Sequence, residues 1–149
     1  MNRDFVEMLA ALSAAGVEFL VVGAYAMAAH GLPRATGDID IWVRSTRENG
    51  HRVVRAVRTF GALLFGLTIE DLLRPDTVFQ IGVAPNRIDI LTGITGVAFE
   101  EAWPNRLNVT IDDQVIPVIG LAELRRNKAA TGRPKDQADL IWLDQEKKP

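Results

Sequence analysis

The sequence predicts an α/β (α+β) domain: one short mixed sheet of five or six strands, flanked by helices. Three observations carry that reading. Amphipathic stretches at helical spacing alternate with short apolar runs of strand length. Two pairs of those runs are separated by turn formers, Ala84-Pro85-Asn86 in one case and Asp112-Asp113 in the other. No repeat, low-complexity tract or linker interrupts the chain, so residues 1–149 read as a single domain.

Element by element, Asn2 is placed to cap a helix running to about Ala15, with Phe5, Met8, Leu9 and Leu12 at helical spacing and Gly16 as its stop. "EFLVV" (18–22) is a short strand, unbroken in hydrophobicity as central strands are. Gly23 ends it, and "AYAMAAH" is an alanine-rich helix closed by Gly31 and Pro33. "DIDIWV" is the next strand. Ser45 and Glu48 make a capping-box pattern for a helix over about 46–60, and "TIEDLL" (68–73) reads as a capped turn or two. "TVFQIGV" and "RIDILTG" form one hairpin, and "LNVTI" and "VIPVI" form another. Between them "VAFEEAW" is a brief helix before Pro104. The chain ends in two helices, "LAELRRNKAAT" stopped by Gly132 and "PKDQADLIWLDQE" opened by Pro134.

Composition narrows the function classes. Of 149 residues, 48% are hydrophobic and 24% charged, ordinary for a folded globular domain. The net charge of −2 argues against a globally basic nucleic-acid binder and leaves room for a local basic patch. The absence of cysteine removes disulfides and thiolate metal sites. The apolar run from Phe19 to Ala29 is too short to cross a bilayer. Asp4, Glu7 and Glu18 precede it, the wrong flank for a signal peptide. The expectation is a cytoplasmic protein with no membrane partner.

The informative stretch is "GLPRATGDIDIWV" (31–43). Aspartate is depleted in strands, yet Asp38 and Asp40 sit among strand formers. Positions i and i+2 share a strand face, so the two carboxylates stand side by side and repel. A solvated strand face would tolerate that pair. A hard divalent cation would use it, since Mg²⁺ takes oxygen ligands from one or two carboxylates plus substrate phosphates. Asp89 recurs in "RIDIL", flanked by isoleucines as the first pair is. If the strands are neighbours, three carboxylates converge, a set able to hold two metal ions about 3.5–4 Å apart for an in-line phosphoryl displacement. Gly23 and Ala24 form a strand–glycine–helix corner that lets backbone N–H groups approach a phosphate.

The order of these features is that of a known signature: an apolar–Gly–small corner, thirteen residues (25–37), then Asp–apolar–Asp–apolar. The chain resembles the polymerase-beta-like nucleotidyltransferase superfamily, with Asp89 matching its third carboxylate. The wider wording "VVGAYAMAAHGLPRATGDIDIWV", together with "RNKAATGRPKDQADL", is similar to the bacterial AbiEii-type branch, which includes toxins of toxin–antitoxin systems. The likeness spans residues 16 to 143, and the Gly–Ala corner departs from the commoner Gly–Ser or Gly–Gly. The resemblance implies a nucleotidyltransferase fold with the Asp-x-Asp strand central. It also implies transfer of a nucleoside monophosphate from an NTP, with Mg²⁺ as cofactor. Asp38 and Asp40 would hold the metals, and Asp89 would complete one site and assist deprotonation of the acceptor.

Supporting residues follow from position. Arg34 and Thr36 precede the metal strand, where they could face the triphosphate or simply be solvated. Residues 125–135 hold Arg125, Arg126, Lys128, Arg133 and Lys135 and no acid. That run is either a solvated helix face or, as the resemblance implies, a site with Lys128 on the γ-phosphate. Asp136 and Asp139 would be partners for these cations. His30 reads as a cap or packing residue, His51 as outward-facing, and the three tryptophans as packing. The acceptor stays open: an RNA end, a protein hydroxyl or a small molecule, with an antitoxin, another protein or a homodimer as partner. The rival class is a non-catalytic nucleotide- or partner-binding module that retains the fold.

Overall fold

The computed structural model describes residues 1–34, 36–62 and 66–146. Asn2 caps α1 (Arg3–Ala14), its side chain accepting from Asp4 N–H at 2.7 Å. β1 (Phe19–Val22) is buried at all four positions. At Gly23 the backbone adopts φ +71° and turns straight into α2 (Gly23–Ala29), and β2 (Asp38–Val43) follows.

The cap of α3 (Arg47–Phe60) differs from the expected one. Thr46 is the cap, accepting from Asn49 N–H at 3.2 Å. Ser45 instead donates to the Leu72 carbonyl at 2.6 Å and ties down α4 (Ile69–Leu73). Both residues are good caps, and the choice falls to the tertiary contact. Glu48 then pairs with Arg52 one turn on, at 2.6 Å. α4 is the expected capped turn, closed by a capping box between Thr68 and Asp71.

β3 (Val78–Ile81) and β4 (Arg87–Leu91) form the first hairpin. α5 (Phe99–Ala102) runs into a 3-10 turn, Trp103–Asn105, that contains Pro104. β5 (Leu107–Ile111) and β6 (Gln114–Val118) form the second hairpin, with Asp112 and Asp113 at positive φ. α6 (Leu121–Thr131) ends on left-handed Gly132 and α7 (Pro134–Glu146) begins two residues later. None of the described helices is long and apolar enough to cross a membrane.

The sheet is mixed, in the order β3-β4-β2-β1-β6-β5. β2 pairs antiparallel with β1 and parallel with β4, and β1 pairs parallel with β6. On one face of β2 and β4, Ile39, Ile41, Ile88 and Ile90 are almost wholly buried. Each contributes about 1.5–3 kcal/mol through burial. Because strand side chains alternate, that face fixes the other: a one-residue slip would drive three aspartates into the core. The isoleucines therefore hold the carboxylates in place. Farther along the same face as the aspartates, Trp42 is buried edge-on against Phe99, which stacks on Trp103.

Candidate active site

The parallel register between β2 and β4 sets Asp40 opposite Asp89 and Asp38 opposite Arg87. One oxygen from each of Asp38, Asp40 and Asp89 lies within 4.8 Å of the other two. Asp89 is buried, and Asp38 and Asp40 are half-buried. Thr36 Oγ1 donates to Asp38 Oδ1 at 2.8 Å and orients it. Burial, then the charges of Asp38 and Asp89, push the Asp40 carboxyl up to about 7, with a hydrogen bond between Asp40 and Asp89 acting in the same direction and Arg87 opposing. The arrangement is short of positive charge.

Arg87, which sequence reasoning passed over, supplies part of it. Its Nε meets Asp89 Oδ1 at 3.0 Å, and its Nη2 meets Asp89 Oδ2 at 3.1 Å and Asp38 Oδ2 at 2.8 Å. These bonds to Asp89, then the neighbouring carboxylate charges, raise the guanidinium's already high pKa. Three convergent carboxylates, one still crowded enough to hold a proton near neutrality, form the hard-oxygen donor set that suits Mg²⁺. Among the described residues no histidine joins them: His30 ends α2 with a ring nitrogen 2.8 Å from the Ile119 carbonyl, and His51 is exposed.

Gly23 is required twice over. Its φ is +71°, and a Cβ there would lie 2.3 Å from Asp40 Oδ2. The corner thus brings backbone into contact with the carboxylates. A polar cavity of about 240 Å³ opens there, lined by Gly23, Ala24, Arg34, Thr36, Asp38 and Asp40 on one side. α6 and α7 close it with Lys128, Arg133, Lys135 and Asp136. All the residues expected at a phosphate site line this cavity, except Asp89, which faces Arg87.

The cations there differ in freedom. Lys128 is only 8% exposed, and its Nζ donates to Asp136 at 3.1 Å and Asp139 at 2.9 Å. Arg34 is held by Asp139 at 2.6 Å. Burial works against the Asp136 charge, but hydrogen bonds from Thr131, Arg133 and Lys128 outweigh it and bring the carboxyl down to about 2. Asp139 is lowered in the same way by Arg34 and Lys128. The acids expected to partner the cations do so. Arg133 touches Asp136 at 2.7 Å with its side chain 73% exposed, and Lys135 is exposed with no ion pair among the described residues. The exposed cations of the cavity are therefore Arg133, which pairs with Asp136 on one side, and Lys135, two members of the basic run that no sequence pattern ranks above Lys128.

No protein-family profile and no curated protein sequence matches the chain. Solved structures do. A candidate nucleotidyltransferase of Thermotoga maritima (TM1012) is similar over 96% of this chain and 92% of its own, with TM-score 0.62 and 19% identity. The lincosamide antibiotic adenylyltransferase LnuA, with lincomycin bound, is similar over 97% of this chain and 96% of its own, with TM-score 0.59 and 11% identity. The six-stranded mixed sheet with its surrounding helices is the nucleotidyltransferase fold.

Proposed function

We propose that this chain is a Mg²⁺-dependent nucleotidyltransferase that moves a nucleoside monophosphate from an NTP to an acceptor and releases pyrophosphate. The observation that carries the proposal is the convergence of Asp38, Asp40 and Asp89 beside a cationic cavity that opens at Gly23. Asp38, Asp40 and Asp89 would hold Mg²⁺, which when bound draws charge from the α-phosphate and lines up the attacking and leaving oxygens. Thr36 fixes the Asp38 carboxylate. Asp89, whose two carboxylate oxygens accept from Arg87, would assist deprotonation of an acceptor hydroxyl once that pairing gives way. Gly23 and Ala24 let the triphosphate approach the backbone. Arg133 and Lys135, with Arg34 and Lys128 behind them, meet the charge that grows on the leaving pyrophosphate.

The acceptor is an RNA end, a protein hydroxyl or a small molecule. LnuA, an adenylyltransferase by name, aligns over 96% of its own length. Membership of the AbiEii-type branch, with a toxin role, remains part of the proposal on sequence wording alone. A second reading has one observation behind it: Arg87 already neutralises Asp38 and Asp89, as a non-catalytic binding module would require. Incubation with each α-labelled NTP, Mg²⁺ and pools of RNA, protein and small molecules separates the two. Label carried into one pool by the wild type and not by Asp40→Asn supports the enzyme. Nucleotide binding without transfer into any pool supports the module.

A further inference from the structure

A second cavity adjoins the cationic one, and we infer, resting on the nucleotide reading above, that it is a nucleobase site selective for adenine with Asn127 as the selecting residue. It measures about 220 Å³ and lies under α6. That is below the roughly 300–1,000 Å³ of a site for a drug-sized ligand, so it suits one ring system rather than a whole acceptor. Both cavities share Gly23, Asp40, Lys128, Arg133 and Asp136, and the second alone reaches on to Leu91, Ile94, Thr95 and Asn127. A nucleotide with its α-phosphate at Asp40 extends its β- and γ-phosphates toward the shared cations and its base toward the Leu91, Ile94 and Asn127 end of the second cavity. Asp89 lines neither cavity.

The lining has the two parts a base needs. Leu91, two residues beyond Asp89 on the same strand face, and Ile94 give an apolar wall for a ring face. Thr95 and Asn127 give a polar edge. Asn127 Nδ2 donates to the Thr95 carbonyl at 2.9 Å. A carbonyl accepts only from the N–H side of the amide, so this bond fixes which end is which. Oδ1 is left without a partner among the described residues. The bond is preset, because the loop carrying Thr95 is clamped on α6: a Cβ on Gly96 would lie 2.5 Å from Ala130 Cβ. An amide oxygen held in place accepts from an exocyclic amino group and repels a carbonyl. Adenine presents the amino group where guanine and uracil present oxygen. Cytosine also presents one, but its smaller ring covers less of Leu91 and Ile94.

The test is calorimetric titration of the full chain with Mg²⁺ and inorganic tripolyphosphate, ATP, CTP, GTP or UTP. ATP should bind tightest, exceeding GTP and UTP by roughly five- to tenfold, the worth of one hydrogen bond kept or lost. Asn127→Ala should bring ATP down to within about twofold of GTP. Ile94→Trp, which fills the cavity from a half-exposed position, should bring ATP down to the affinity of tripolyphosphate. Tripolyphosphate binding with no preference among the four nucleotides overturns the adenine site and leaves the phosphate site standing. A preference for GTP or UTP, or an ATP preference that survives both substitutions, overturns it as well. Failure of tripolyphosphate and every nucleotide alike overturns this inference and the nucleotide reading together.

Discussion

Replacing Asp40 by asparagine should stabilise the metal-free protein, and by an amount that grows with pH. Asp40 holds its proton up to about 7 in the fold because of burial and the charges of Asp38 and Asp89, against an ordinary value of 3.8. A carboxyl with a raised folded pKa adds stability that is fully present below its unfolded pKa and is lost as pH climbs through the folded one. The window therefore runs from about pH 4 to about pH 7. The gap of roughly three pH units, at about 1.4 kcal/mol each, sets a ceiling near 4 kcal/mol. Asp40 keeps some contact with water, and part of the window lies below pH 5, so the loss between pH 5 and pH 8 should be of order 2 kcal/mol. Asparagine keeps the shape and cannot ionise. Urea denaturation in the presence of a chelator, at pH 5 and pH 8, measures the difference between variant and wild type. The variant should gain about 2 kcal/mol on the wild type across that interval. A difference that does not change with pH would refute the crowding on which the metal site is argued. Added Mg²⁺ should stabilise the wild type and leave the variant where it was.

Other expectations follow from the same geometry. Lys128→Ala leaves Asp136 and Asp139 facing each other without their shared ammonium, so denaturation should show a loss of about 3–5 kcal/mol; a loss below 1 kcal/mol would mean the pairs are dispensable. Lys135→Ala should leave stability within about 0.5 kcal/mol while lowering turnover by roughly a hundredfold, and unchanged turnover would remove Lys135 from the phosphate site. Gly23→Ala forces a Cβ against Asp40 Oδ2 at a positive φ, so stability should fall by about 1–3 kcal/mol and Mg²⁺ affinity should fall with it. Arg87→Gln removes the guanidinium that competes for Asp38 and Asp89, so half-saturation by Mg²⁺ in a titration should move to lower concentration. A shift to higher concentration would make Arg87 a support for the metal instead of a rival.

Much of the fold lay in local patterns. The isoleucines around Asp38, Asp40 and Asp89 marked two strands whose other face had to be buried, and that alternation alone put the carboxylates together once the strands paired. What local pattern did not carry was register and partner choice. Arg87 opens its strand like any solvated arginine, and its role comes only from lying opposite Asp38 in the neighbouring strand. The basic run 125–135 advertised a cationic surface, but the burial of Lys128 against Asp136 and Asp139, and the exposure of Arg133 and Lys135, depend on how α6 and α7 pack. Ser45 and Thr46 are adjacent and chemically equivalent as caps, and a carbonyl on α4 decided between them. Asn49, near the start of α3, is buried, and its amide is satisfied by the backbone of Glu18 before β1 and of Arg44 after β2, partners that no local pattern announces.

Asp38, Asp40 and Asp89 are proposed to act together in metal-dependent nucleotidyl transfer. Pyrophosphate release from each NTP, followed with Mg²⁺ and with a chelator in wild type and Asp89→Asn, tests it most directly. The wild type should show Mg²⁺-dependent release, matched one for one by nucleotide transferred to the acceptor, and Asp89→Asn should show none above background while still binding tripolyphosphate. Release that persists with the chelator, or an Asp89→Asn protein as active as the wild type, would contradict it.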